Sequence, residues 1–469
     1  MICVSGLILR QNINNLDMFR TNTFLFLIFL TVVFVACNGS KDEEKIIEQA
    51  LTLVSSYPSN GSQSVDYDET TIELTFDDNI RLVHSDNVTL NENKPERVTV
   101  SLSVLRMNVS LQPGTNYKLV VPKGTVAGRE LQGTNEHIQL SFQTKQREEL
   151  SLVVSNPSAE AKRVYQFLTD NYQQKVLTGT MANVSWNINE AEWVNKHTGK
   201  YPALNCFDYI HLYASPANWI NYEDTKVVEE WWNANGLVAA MWHWNVPSFE
   251  GSTDYHFYTN KTNFDVSRAV QEGTYENSVV KSDLDKMADQ LLLLKEKNIP
   301  VIWRPLHEAA GKWFWWGAKG AAAYRKLWIL MFETFETKGL NNLIWVWTSE
   351  TNDSEWYPGD RYVDILGRDS YNNQKISDIK NEYQWMSKEY PGRLVALSEF
   401  GTMLDMQKQW SEGVRWSWIM PWYDYERTLD PTRNQFEETR HEHADINYWN
   451  EIFKMKEAVS IDEMPNLKN

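Results

Sequence analysis

Eight short apolar runs, separated by stretches with helical patterning, fill the chain beyond residue 150. They are Val176–Met181, Tyr201–Tyr209, Leu237–Trp244, Pro300–His307, Asn342–Thr348, Val363–Tyr371, Leu394–Phe400 and Arg415–Trp422. An apolar run of this length, bounded by turn signals, reads as a strand buried on both faces. Between them, Ser282–Lys297 carries Leu291 to Leu294 on one side, Ala321–Lys338 is a second helical pattern, and Ser377–Tyr390 is closed by Pro391-Gly392. Parallel strands need long crossovers, and a helix is the usual one. Strand then helix, eight times over, is the count of an α/β (β/α)8 TIM barrel. The alternative is an open doubly wound sheet, which often carries a glycine-rich phosphate turn after its first strand. Thr178-Gly179-Thr180 is too short to be that turn.

The chain ahead of the barrel has a different texture. In Thr71-Ile72-Glu73-Leu74-Thr75-Phe76 and Tyr117-Lys118-Leu119-Val120-Val121, apolar and polar residues alternate. Turn signals recur at Pro58-Ser59-Asn60-Gly61, Pro113-Gly114 and Ala127-Gly128. Alternating strands spaced by turns predict a small all-β sandwich over residues 51–146. Tyr57-Pro58-Ser59-Asn60-Gly61, Leu74-Thr75-Phe76, Leu111 to Tyr117 and Ser141-Phe142-Gln143-Thr144 resemble a bacterial immunoglobulin-like domain. No constellation for chemistry lies there, so a spacer is the expected role. The charged hinge Gln146 to Glu149 then leads to a barrel domain over 150–469.

At the front, Phe24 to Ala36 is apolar except for Thr31, and Arg20 precedes it. That run is too short to span a bilayer but fits the apolar core of a secretory signal. Val35-Ala36-Cys37 resembles a bacterial lipoprotein signal, which implies a signal peptide over 1–37 and lipid on Cys37. Ser40-Lys41-Asp42-Glu43-Glu44, inside a tether over 38–50, resembles the acidic export tag of surface lipoproteins. The expected location is the outer membrane, facing outward, with the periplasm as the alternative. The three cysteines offer no disulfide framework, and Cys206 reads as an inert buried thiol.

In a parallel barrel, chemistry gathers at the C-terminal strand ends. There the sequence places Trp242-His243-Trp244-Asn245, then His307-Glu308, Asp369-Ser370-Tyr371 and Glu399, with Trp418 on the eighth strand. Period-two alternation puts Asp369 and Tyr371 on one face, and Arg304 and Glu308 on one face. Two carboxylates at one barrel mouth are the minimum kit for breaking a glycosidic bond. One must hold a proton near neutrality and the other must stay ionised. Arg304 and Tyr371 are the candidates to keep the second one charged. The run Trp313-Phe314-Trp315-Trp316 offers faces on which sugar rings stack, although a chain with 21 Trp must also bury many in its core. His441-Glu442-His443 shows no third metal ligand, and His307-Glu308 is not followed by the second His of a zinc motif. No metal or cofactor is expected.

Trp303-Arg304-Pro305-Leu306-His307-Glu308, Gly311, Trp313-Phe314-Trp315-Trp316-Gly317, Ser398-Glu399-Phe400-Gly401 and Trp242-His243-Trp244-Asn245-Val246-Pro247 resemble glycoside hydrolase family 26. The resemblance implies a retaining endo-β-1,4-mannanase with Glu308 as acid/base and Glu399 as nucleophile. It also implies that His243, His307, Trp313, Asp369, Tyr371 and Trp418 line the subsites, and Arg304 is a further candidate contact for substrate. Ile419-Met420 stands after Trp418, where some members carry an Arg, so contacts beyond the central subsite stay open. The expected substrate is a β-mannan polysaccharide or manno-oligosaccharide, including glucomannan and galactomannan. A β-glucanase (lichenase), a β-xylanase or a non-catalytic surface glycan binder are the alternatives. A net charge of −17 argues against nucleic acid or an anionic membrane as partner, which leaves the lipid anchor as the membrane contact. A monomer is expected.

Overall fold

A computed structural model describes residues 49–468 except 68–70, 131, 147–150, 184–185 and 374. The signal segment, Cys37 and most of the tether lie outside the described residues. Among those described, no helix is long and apolar enough to cross a membrane.

The barrel strands are β1 (Val176–Met181), β2 (Leu204–Asp208), β3 (Leu237–Trp242), β4 (Val301–Pro305), β5 (Leu343–Ser349), β6 (Ile365–Ser370), β7 (Leu394–Phe400) and β8 (Trp418–Pro421). Each is hydrogen-bonded in parallel to the next, and β1 pairs with both β2 and β8, which closes the ring. Helices cover the outside, so strands such as β3, β5 and β7 are buried at every position. Burial on both faces is why they read as continuous apolar runs rather than alternating ones. The expected strands are all present, several of them shorter than the apolar runs that announced them.

Local chemistry fixes the helix starts. Ser158 accepts from the backbone N–H of Ala161 ahead of the helix Ala159–Asn171, and Thr274 accepts from Asn277 ahead of Tyr275–Glu296. Such caps satisfy otherwise orphaned amides. The tryptophans mostly fill the core: Trp303, Trp315, Trp316, Trp345 and Trp347 are fully buried. Trp315 donates to the carbonyl of Trp244 and Trp316 to that of His307, so most of the aromatic run packs the rim from within.

Ahead of the barrel lie three small, mainly antiparallel sheets. Leu53–Tyr57, Thr71–Phe76, Val104–Asn108 and Arg97–Ser101 form one, and Ile138–Gln143, Asn116–Val121 and Thr89–Leu90 another. Every second residue of Thr71–Phe76 is buried, and Ile72, Leu74 and Phe76 meet Leu105, Met107, Leu119 and Phe142 in a separate core. Ala127-Gly128 is not the expected turn but the end of the strand Val126–Gly128. Glycine is needed there because a Cβ would lie 2.6 Å from Asp78 Oδ2. The front sheets and the barrel belong to one compact unit, Gln49–Asn469. Arg415, just before β8, lies over the Trp410 ring and reaches Glu96 Oε1 at 2.7 Å, and Gln174 donates to Gln112 at 3.0 Å.

Candidate active site

A cavity of about 470 Å³ opens at the C-terminal ends of the barrel strands, lined in part by His243, His307, Glu308, Asp369, Tyr371 and Glu399. Glu308 lies three residues beyond β4 on an abrupt bend. Leu306 and Glu308 both take left-handed backbone conformations, with φ of 51° and 52°. That conformation costs roughly 1–2 kcal/mol for a residue with a Cβ and is met mostly where function fixes the geometry. Trp313 Nε1 donates to Glu308 Oε2 at 2.9 Å. The Trp313 ring covers Gly311, where a Cβ would sit 1.9 Å from it. Glycine at 311 thus lets the indole reach the carboxyl.

Glu399 stands on β7 opposite Asp369 of β6, after a register irregularity between Arg368 and Asp369. Such a bulge re-aims side chains at a barrel rim. Arg304 rises from β4 beneath both carboxylates. Its Nη2 donates to Glu399 Oε2 at 2.6 Å and its Nη1 to Asp369 Oδ2 at 2.7 Å. The Tyr371 hydroxyl donates to the other oxygen of Glu399, and Ser398 Oγ to Asp369 Oδ1 at 2.7 Å. Arg304 is buried and does not line the cavity, so it braces the carboxylates from below rather than meeting a ligand. One oxygen each of Glu308, Asp369 and Glu399 lie within 4.8 Å of one another. Three carboxylates this close could ligate a cation, but the Arg304 guanidinium already supplies positive charge to two of them.

The electrostatics separate the two glutamates. Burial pushes the Glu308 carboxyl up, and the charges of Glu399, Asp369 and Glu350 push it further. Burial and Asp369 also raise Glu399, but Arg304 and the Tyr371 hydroxyl oppose that rise. When one proton is held by the pair, it resides on Glu308. Burial, with Arg304 and His243 nearby, holds the His307 imidazole well below its ordinary value, hence neutral. His243 Nδ1 lies 2.6 Å from Asp208 Oδ2, which fixes its ring edge-on to His307 at 4.8 Å.

Trp418 is not in the cavity. It is the first residue of β8, buried, in register with Leu177 near the start of β1. A strand delivers its C-terminal end to the mouth, so the residue that lines the cavity is Trp422, just past Pro421. Sequence reasoning also passed over Tyr258, Glu350 and Arg368, which complete the lining with Trp313 and Phe314. Glu350 had a readable signal: Trp345-Val346-Trp347-Thr348-Ser349-Glu350 is another apolar run ending in a carboxylate. At His441-Glu442-His443, His441 pairs with buried Glu190 at 3.0 Å and accepts the backbone N–H groups of His443 and Ala444.

The family model described as glycosyl hydrolase family 26 matches residues 153–448, and that of a bacterial Ig-like domain matches residues 47–144. The chain is 37% identical over 286 residues to a mannan endo-1,4-beta-mannosidase of Thermothelomyces thermophilus, covering 58% of this chain and 57% of that protein. It spans between 51% and 57% of the length of this and two further curated relatives. Among solved structures, the family 26 domain of an endo-beta-mannanase/endo-beta-glucanase from Prevotella bryantii superposes with a TM-score of 0.61 at 35% identity, covering 67% of this chain and 99% of that one. A beta-mannanase from a symbiotic protist of the termite Reticulitermes speratus, complexed with gluco-manno-oligosaccharide, gives 0.57 at 32%, covering 68% and 98%. This chain belongs to glycosyl hydrolase family 26.

Proposed function

We propose that this protein is a retaining endo-β-1,4-mannanase. The observation that carries the reading is the short spacing of Glu308 and Glu399, whose nearest oxygens lie within 4.8 Å. Retaining glycosidases hold their two carboxyl groups about 5–5.5 Å apart, and inverting ones about 6.5–9.5 Å, to leave room for a water. Glu399, kept ionised by Arg304 and Tyr371, attacks the anomeric carbon. Glu308 gives its proton to the departing glycosidic oxygen. Glu308 then takes a proton from water, which attacks the same carbon and releases Glu399. The names of the relatives support mannan as substrate, and the gluco-manno-oligosaccharide complex of the termite-symbiont enzyme supports tolerance of glucose in the chain. The test is incubation with mannan, lichenan and β-1,3-xylan, following reducing ends and product sizes. Rapid release of mid-length fragments from mannan supports the reading. Cleavage of lichenan or xylan alone makes the chain a glucanase or xylanase, and no cleavage of any makes it a binder.

The signal-like segment and Cys37 support attachment to the outer membrane by lipid, with the cleft outside the cell. An anchored enzyme there would cut long polysaccharide into fragments small enough to import. Cys37→Ala should release the protein from the membrane fraction or block its maturation. Protease added to intact cells should degrade the wild type, whereas degradation only after the outer membrane is opened points to the periplasm.

A further inference from the structure

Glu350 is the one carboxylate of the cavity lining that the two-carboxylate mechanism leaves idle and that Arg304 does not hold. It is built with care. Its backbone N–H donates to Asp353 Oδ2 at 2.7 Å, and Ser349 Oγ donates to Asp353 Oδ1 at 2.7 Å. Thr351 and Asn352, the next two residues, both take left-handed backbone conformations, with φ of 61° and 52°. Asp353 thus ties down Ser349 and Glu350, and the two left-handed residues that follow turn the chain back toward it.

The carboxylate itself is only half used. Arg368 Nη1 approaches Oε2 at 3.4 Å, while Oε1 is buried with no hydrogen-bond partner among the described residues. A carboxylate on the cavity wall held by one contact as long as 3.4 Å keeps acceptor capacity for a donor arriving in the cavity. Arg368 is committed elsewhere, to Glu382 at 3.2 Å. Glu350 also lies on the acid's side of the site. It follows β5, the strand hydrogen-bonded to β4, which delivers Glu308, whereas Glu399 stands on β7, two strands further round the barrel.

From this placement, and resting on the glycosidase reading above, we infer that Glu350 recognises the departing sugar, with its carboxylate accepting a hydrogen bond from one of that sugar's hydroxyls. The donor sugar sits over Glu399 and the leaving oxygen beside Glu308, so a group on the Glu308 side faces the leaving half of the substrate. A carboxylate accepts from a hydroxyl and has nothing to accept from an aryl aglycone. Glu350 therefore favours cleavage between two sugars over release of a non-sugar group. It also holds a second sugar in place to accept the glycosyl group from Glu399, which favours transfer over hydrolysis.

The test compares Glu350→Ala and Glu350→Gln with wild type on a manno-oligosaccharide and on a dinitrophenyl β-mannobioside. Losing a hydrogen bond to a charged group costs about 10-fold or more. The expected result is a fall in kcat/KM for the oligosaccharide about 10-fold larger than for the aryl glycoside, with fewer transfer products at high oligosaccharide concentration. Glu350→Gln keeps an acceptor oxygen and should fall between wild type and Glu350→Ala, and it serves as the test if Glu350→Ala does not fold. Equal losses on both substrates, or no loss on either, would overturn the inference. If wild type ignores mannan but cuts another β-glycan, the mannan reading fails, and the same comparison with that glycan's oligosaccharide still judges Glu350.

Discussion

Arg304 reaches Glu399 at 2.6 Å from below, out of reach of the cavity, so the base of the site carries a cation that substrate does not touch. The same guanidinium holds Asp369 at 2.7 Å. Arg304→Met leaves two buried carboxylates without their counter-charge. Breaking a buried pair from one side costs about 3–5 kcal/mol. We expect that loss in chemical denaturation. In whatever protein folds, the limb of the pH profile that reports Glu399 should move to higher pH, because one of the two groups opposing its rise is gone.

Gly401 sets the position of Tyr371. A Cβ at 401 would lie 2.0 Å from the Tyr371 ring, whose hydroxyl donates to Glu399. Gly401→Ala should push the phenol off the carboxylate. A charge-assisted hydrogen bond is worth about 1.5–3 kcal/mol, so kcat/KM should fall about 10- to 150-fold. Tyr371→Phe should give a similar loss, and the double variant little more than either. Additive losses from the two would show that Gly401 acts by another route.

Burial raises both glutamates, and Glu308 rises further than Glu399. Activity needs Glu399 ionised and Glu308 protonated. The rate on unactivated substrate should therefore climb as pH rises through the lower apparent value of the pair and fall as it passes the upper one. Both limbs should lie above the ordinary carboxylate range of about 4. In Glu308→Gln on an activated aryl glycoside, the falling limb should vanish and the rising limb stay in place, since Glu308 is still protonated, and so uncharged, while Glu399 ionises.

Among the described residues, none of the front sheets lines the cavity. They meet the barrel at Arg415, which precedes β8 and so lies at the end opposite the mouth. Removing residues 38–148 should leave turnover of soluble oligosaccharide nearly unchanged. The Glu96–Arg415 pair, with Glu96 partly exposed, is worth at most about 1 kcal/mol. A large fall in turnover from a well-folded truncated protein would give the front sheets a part in building the cleft.

Much of this was legible in the sequence because parallel barrels leave a strong imprint. Strands buried on both faces are continuous apolar runs, and chemistry at their C-terminal ends puts Glu308 and Glu399 where a reader looks first. What failed were the finer positions. Trp418 and Trp422 lie four residues apart around Pro421, and choosing between them requires knowing where β8 ends, which apolarity does not mark. Arg304 reads as a candidate contact for substrate, but only the packing beneath Glu399 shows it facing away from the cavity. Trp315 and Trp316 share a run with Trp313, yet they turn inward while Trp313 stays 42% exposed beside Glu308. That division follows from the 3-10 turn Trp315–Gly317, which no periodicity announces.

The assignment of roles to Glu308 and Glu399 is the centre of this account, and leaving-group dependence tests it most directly. Glu308→Ala and Glu399→Ala should be compared with wild type on mannan and on a dinitrophenyl β-mannobioside. A general acid contributes about 10²–10⁴-fold where the leaving group needs a proton, and little where it does not. The account predicts that Glu308→Ala loses mannan cleavage but still forms the glycosyl-enzyme from the aryl substrate, seen as a burst of dinitrophenol. Glu399→Ala should lose both reactions. An equal loss on the two substrates in both variants would contradict the assignment.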